Sequence, residues 1–319
     1  MVSVDYFVEN LTPKTFAELA PLMEDAFGGT VGTNYFEWKY LHNPSGPAIG
    51  NIARAGQDGE VAAFYGMIPE NCHWGNRSRR IYQSCDTMTH SRHRRRGLFR
   101  LLALETYQAA RAADEDFFAF GFGGPKSTPG LLKMGWQIEF DLVNLFRPYP
   151  LTLLPIGMTG SNNIHRSNEP TDELIAMVRS SSADEIGSIE KTEAFVRWRL
   201  GNPLHTYEYL IEGQDAYAIY YREGRILFIF DFWERVPGSG KSIWNALRLA
   251  SLVAPCKGVL TFAQPGTAFE RRLKRYGFIR NPFKRGPGAG TIPFVTYGEC
   301  PGGRGADHWS ITPFDHDSY

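Results

Sequence analysis

Between Thr87 and Leu102 the chain runs from a β-type segment through a short basic loop, Ser91-Arg92-His93-Arg94-Arg95-Arg96, to a single glycine, Gly97, and at once into an amphipathic helical pattern. That order constrains the backbone strongly. A strand that feeds a helix through so tight a loop gathers N–H groups and the helix N-terminus at one point, and such a point holds an anion. The arginines add charge suited to a polyphosphate. The glycine lets a ligand approach the backbone closely. Leu98, Leu101 and Leu102 share one helix face, with Ala109, Ala110 and Ala113 further on. The apolar run Phe117–Phe122 then suits a buried strand.

Charge restricts what the basic loop can serve. Lys plus Arg and Asp plus Glu number 34 each in 319 residues, so no global field recruits nucleic acid or a membrane. The charge is local: eight arginines fall between Arg77 and Arg100. Aromatic interleaving is absent from Arg92 to Arg96, which argues against a nucleic-acid patch. The length fits two domains. Cys72, Cys85, Cys256 and Cys300 have neither metal-ligand nor disulfide-framework spacing, so they read as reduced thiols and no metal is expected. Met1–Asn10 carries Asp5 and Glu9 and lacks the form of a signal peptide, and no apolar run is long enough to span a bilayer. The expected location is cytoplasmic.

Thr12-Pro13 starts a helix carrying Phe16, Leu19, Met23 and Phe27 at helical spacing, with Gly28-Gly29 at its end. Pro21 predicts a kink or a second start. Residues 35–41 form a second short helix closed by Asn43-Pro44-Ser45-Gly46. Strands are predicted over 51–56, 60–68, 69–74 and 79–89, with turns at Asp58-Gly59 and Gly75-Asn76. A helix from Pro129 ends at Gly135-Trp136, and 148–170 reads as a Pro- and Gly-rich linker.

Arg94-Arg95-Arg96-Gly97-Leu98-Phe99 resembles motif A of the GNAT acyltransferases, R/Q-x-x-G-x-G/A, with Arg94 and Gly97 matching and Phe99 where the pattern has Gly or Ala. Leu131-Leu132-Lys133-Met134-Gly135-Trp136 is similar to the end of motif B, and Phe36-x-Trp38-Lys39-Tyr40 with Asn43-Pro44 resembles an N-terminal signature of a bacterial branch. The resemblance covers residues 1–146. It implies an α+β fold of α/β/α layers with a mixed central sheet, and acetyl-CoA as co-substrate. It places coenzyme contacts on Thr87, Met88, Thr89, Arg94, Arg95, Arg96, Gly97, Leu98 and Phe99. The family's usual Tyr acid would stand at Leu131.

The pattern then returns. Phe195-Val196-Arg197-Trp198-Arg199-Leu200-Gly201-Asn202-Pro203 echoes Phe36–Pro44; strands follow near 206–212, 215–222, 225–233 and 257–263, and helices at 241–254 and 268–276, the last ending at Gly277-Phe278 as the first half ends at Gly135-Trp136. Self-similarity of this kind indicates two tandem copies. The expected domains are 1–147, binding acetyl-CoA; a linker over 148–170; a degenerate copy over 171–298; and a docked tail over 299–319, anchored by Trp309 and Phe314. The second loop, Glu234 to Ser242, has no Arg-x-x-Gly-x-Gly. Its Gly238-Ser239-Gly240-Lys241-Ser242 mimics a nucleotide-binding loop but has Arg235 where that pattern needs glycine, so it reads as a surface turn.

Asp86, at the end of the fourth predicted strand, is the first candidate general base; His90 and Ser127 are weaker ones. Strict alternation puts Cys85 on the opposite sheet face from Asp86. Trp38, Asp315 and Asp317 are candidate substrate contacts. The expected activity is acetyl transfer from acetyl-CoA to an amine, or less readily a hydroxyl, of a small polar acceptor such as an amino sugar, an amino-acid derivative or an antibiotic-like amine. A homodimer is compatible with the sequence. The alternative is a degenerate coenzyme A sensor or scaffold.

Overall fold

A computed structural model describes residues 5–56, 59–74, 77–148, 164–181, 186–253, 256–280 and 290–317. Most of the anticipated linker lies outside these residues, as do the turn positions Asp58, Gly75 and Asn76. The chain divides into two compact units: 1–139 with 201–204 and 293–304, and 140–200 with 205–292 and 305–319.

In the first half of the sequence, β1 (Tyr6–Asn10), α1 (Phe16–Phe27) and α2 (Thr33–Phe36) lead into β2 (Ile49–Ala55), β3 (Val61–Trp74) and β4 (Arg77–Thr89). α3 (Leu98–Ala113), β5 (Ala119–Phe122), α4 (Thr128–Lys133) and β6 (Gln137–Pro148) follow. β1 to β4 pair antiparallel in order, and β5 lies parallel to β4 after the α3 crossover. Side-chain alternation on β3 separates the layers. Phe64 packs on Tyr40, 5.4 Å between ring centroids, towards α1 and α2. Tyr65 meets Phe99 and Tyr107 of α3. The α3 core includes Leu98, Leu102, Ala103, Tyr107 and Ala110 against Ala63, Met67 and Trp136.

Three local expectations change. α1 runs unbroken through Pro21, because Pro21 and Ala17, whose carbonyl loses its helical partner there, are both exposed and water can serve that carbonyl. The predicted strands 60–68 and 69–74 are one strand, β3. β2 stops pairing at Met67, so Pro69 interrupts no bond to it. Residues 37–41 form a π-helical turn after α2 rather than a plain helix.

The second half gives β7 (Ile164–Ser167), α5 (Asp172–Ser180), β8 (Ser188–Ile189), α6 (Glu193–Leu200), β9 (Tyr207–Glu212), β10 (Ala216–Glu223), β11 (Ile226–Glu234), α7 (Lys241–Val253), β12 (Gly258–Ala263), α8 (Ala268–Arg275), β13 (Ile279–Arg280) and β14 (Thr291–Tyr297). β9, β10 and β11 form an antiparallel meander, and β12 is parallel to β11 after α7. Trp244, Leu247, Leu273 and Tyr276 of the helical side pack on Ala218, Tyr220 and Phe232. The tail from residue 305 onward belongs to this unit, whereas 299–304 belong to the first: Trp309, Ile311 and Phe314 are buried, and Arg199 donates to the carbonyls of Phe314 and His316.

The closing strands are exchanged in sequence. β14, from the second half, pairs with β5 in the first unit. β6, from the first half, pairs with β12 and β13 in the second. Each unit thus takes the last strand of its sheet from the other half of the chain.

Candidate active site

The β3–β4 ladder keeps register from Trp74–Arg77 to Gly66–Cys85, and its next pair is Phe64–Met88. Asp86 and Thr87 therefore oppose Tyr65 alone. This is a β-bulge, and Asp86 takes a φ of 43° to make it. A non-glycine residue held in that region stores strain, which is commonest at functional sites. The bulge also overrides strict alternation. The Cys85 sulfur, expected on the far face, lies within 4.8 Å of an Asp86 carboxylate oxygen; burial first, and then Asp86 and Cys85, push the Tyr40 hydroxyl above its usual range.

Asp86 collects three donors on one oxygen. Lys39 Nζ lies 2.8 Å from Asp86 Oδ2, the Tyr40 hydroxyl donates to it at 2.6 Å, and the Tyr35 hydroxyl at 3.3 Å. Lys39 Nζ also donates to the Tyr35 hydroxyl at 2.9 Å. The Lys39 side chain is fully buried and that of Asp86 is 5% exposed. Helical spacing supplies the arrangement: Tyr35 lies on α2, and the π-turn Glu37–Leu41 brings Lys39 and Tyr40 to the same side. Water is excluded from this ion pair, so the carboxylate has a fixed orientation. Sequence reading missed the cluster. Its signal was a lysine inside the aromatic run Tyr35–Tyr40.

The basic loop leaves β4 and caps α3. Ser91–His93 is a 3-10 turn, Arg95 has φ 63°, and Gly97, with φ 77°, is the residue before the helix. The left-handed residues turn backbone N–H groups inward, and the first turn of α3 offers unsatisfied ones. Acidic residues brace the loop. Asp25 of α1 accepts from the Ser91 N–H at 2.6 Å and hydroxyl at 2.7 Å, which holds its carboxyl below the usual range. Glu60 pairs with Arg92 at 2.6 Å and His93 at 3.0 Å. Arg94 donates to the Thr89 carbonyl and stands 3.9 Å from Asp25. Arg95 and Arg96 are exposed and make no hydrogen bond or ion pair among the described residues. Their charge is the one open to a ligand.

Phe99 does not occupy the loop. Its ring packs 5.9 Å from that of Tyr65, and a Cβ on Gly130 of α4 would come within 2.5 Å of it. Glycine at 130 makes room for the large residue at 99. Met88 and Leu98 are buried in the core, while Thr87 and Thr89 are half-buried on β4. Leu131 is core. His90 accepts from the Arg92 N–H and lies 3.9 Å from Asp25, so it belongs to the loop brace. The Ser127 hydroxyl closes the turn to Gly124. Trp38 is buried against Tyr35. In the second unit Asp315 caps its own turn by accepting from the Thr312 N–H and hydroxyl, and burial pushes its carboxyl up. Asp317 lies 3.5 Å from His316.

Residues 8–138 match the family model described as an acetyltransferase (GNAT) domain. Solved structures share the fold of nearly the whole chain. A probable N-acyltransferase from Enterococcus faecalis is 12% identical with a TM-score of 0.68, over 92% of this chain and 72% of that one. A GCN5-related N-acetyltransferase from Kribbella flavida is 12% identical with a TM-score of 0.64, over 92% and 71%. A tandem GNAT protein from the clavulanic acid biosynthesis pathway is 12% identical with a TM-score of 0.63, over 92% and 98%. None of the curated proteins matches the chain in sequence. Residues 8–138 thus match the GNAT acetyltransferase domain, and the chain shares the fold of solved GNAT proteins, a tandem one included.

Proposed function

We propose that the first unit binds acetyl-CoA between β4 and α3 and transfers its acetyl group to the amine of a small polar acceptor. The observation that carries this is the loop Ser91–Gly97. Two uncommitted guanidiniums, a left-handed glycine and the first turn of a 16-residue helix converge there, next to a bulged strand. The donors fit a pyrophosphate in charge and number. The retreat of Phe99 onto Gly130 keeps the loop open despite the departure from the family pattern.

In this reading the bulge at Asp86 and Thr87 frees ladder N–H groups for the thioester carbonyl, which they polarise as acetyl is attacked. The acceptor nitrogen forms the new C–N bond, the C–S bond breaks, and coenzyme A leaves as its thiolate. Asp86 takes the proton lost by the amine, while Lys39, Tyr35 and Tyr40 hold the carboxylate in place. The four free thiols and a cytoplasmic setting are consistent with one another. Among the described residues no helix is long and apolar enough to cross a membrane.

Titration calorimetry with acetyl-CoA tests the site. Gly97→Val forces a β-branched residue into a left-handed conformation and should abolish binding, although a Cβ there meets no neighbour. Gly97→Asn, which tolerates that conformation, should retain much of the affinity. Arg95→Ala with Arg96→Ala should weaken binding by about tenfold or more, since hydrogen bonds to charged groups are worth about 1.5–3 kcal/mol. Wild-type affinity in Gly97→Val would remove the assignment.

A further inference from the structure

The second unit has its own strand-to-helix loop, between β11 and α7, and the run of arginines in the first loop is reduced there to Arg235, which donates to the Gln214 carbonyl and pairs with Asp215. The anion position is not missing. Glu234, the last residue of β11, turns its carboxylate back onto the loop. Its Oε2 accepts the backbone N–H of Gly238 at 2.9 Å and that of Gly240 at 3.2 Å. The Tyr276 hydroxyl donates to the same oxygen, and the Arg275 guanidinium pairs with Oε1. The Glu234 side chain is 1% exposed. Burial first, and then Glu234, push the Tyr276 hydroxyl above its usual range.

Sequence alternation places Glu234 there. Trp233 and Arg235 on either side line an open cavity of about 400 Å³ together with Glu173, Met177 and Gln214, while Glu234 points the other way, to α7 and α8. Gly240 has no space for a side chain, because a Cβ would lie 2.6 Å from the Phe232 ring, and so its N–H stays close to the carboxylate. Two backbone N–H groups at the start of a 13-residue helix, one guanidinium and one hydroxyl form the donor set of a phosphate or carboxylate site. Here the chain supplies the anion itself.

We infer that Glu234 is a built-in anion filling the phosphate position of the second unit, so that this unit takes neither a coenzyme nor a nucleotide phosphate. The segment Gly238–Ser242, which mimics a nucleotide-binding loop, has its glycine N–H groups already committed to Glu234. One acetyl-CoA per chain follows; that corollary rests on the proposed function, whereas the filled position does not.

Glu234→Ala removes the carboxylate and leaves the four donors. Its melting temperature should fall, and formate or acetate should restore at least half of the loss, with no such response in wild type. Equal restoration by chloride at matched ionic strength, or none by formate, overturns the inference. If the variant does not fold, wild type decides by amide hydrogen exchange: the Gly238 and Gly240 amides should exchange slowly, and fast exchange of both overturns it. Acetyl-CoA titrated into wild type should give one site, lost in Gly97→Val. A second site that survives Gly97→Val overturns the inference. No binding at all would overturn the proposed function and leave the formate response to decide for Glu234.

Discussion

Asp86 and Lys39 form an ion pair in a setting where water cannot screen it, and each would be costly to leave alone. Lys39→Met should destabilise the protein by about 3–5 kcal/mol, and adding Asp86→Asn should recover much of that, as a double-mutant cycle in denaturant would measure. Asp86→Asn alone should lower turnover far more than acetyl-CoA affinity. Unchanged turnover would eliminate Asp86 as the base. Asp86 was legible as a chemical candidate from its position at the end of a strand before the basic loop. Its partners were not: Lys39 lies 47 positions away, and nothing in a helical pattern shows which strand residue a buried lysine will meet.

At the scale of elements, the loop between β4 and α3 is held from outside as much as by its own sequence. Asp25 of α1 binds Ser91, and Glu60 binds Arg92 and His93. Both carboxyls are lowered below their ordinary values, Asp25 chiefly by the Ser91 hydroxyl and Glu60 chiefly by His93. A lowered folded-state value means that the stabilisation is present above the ordinary value and lost as pH falls through the lowered one. For Asp25 the ordinary value is 3.8, so the brace should hold at neutral pH and release in acid below about 3.8. The protection factor of the Ser91 amide should drop there, and Asp25→Asn should show the same loss at neutral pH. Retained protection in the variant would deny Asp25 this role. The loop and the Gly97 cap were legible because both are local signals. The bulge was not, since an extra residue in one strand shows only against its partner's register.

At the scale of the molecule, the exchanged strands make each half of the sequence incomplete. A fragment of residues 1–147 keeps β5 but lacks β14, so the strand edge that Phe294–Tyr297 covers would be open. Expressed alone it should aggregate or fail to melt cooperatively, and co-expression with residues 148–319 should restore solubility. A cooperative, soluble fragment would show that β14 is dispensable. The tandem repeat was legible because Phe195–Pro203 echoes Phe36–Pro44 and Gly277-Phe278 echoes Gly135-Trp136. The exchange was not, because alternation marks β6 and β14 as strands without naming the edge each will join.

The sequence by itself determined the strand–loop–helix order, the repeat, the basic loop with Gly97 at the head of its helix and the absence of Arg-x-x-Gly-x-Gly from the second copy. These follow from periodicity, turn chemistry and residue spacing, which act over a few positions. Only the tertiary structure decided that Lys39, Tyr35 and Tyr40 converge on Asp86, that Arg95 and Arg96 are the open cations while Arg92 and Arg94 are engaged, that Phe99 lies on Gly130, and that Glu234 fills the second loop. Each depends on groups brought together from separate elements, and the energy of a buried charge or hydrogen bond is set by which partner packing delivers and how far water is excluded.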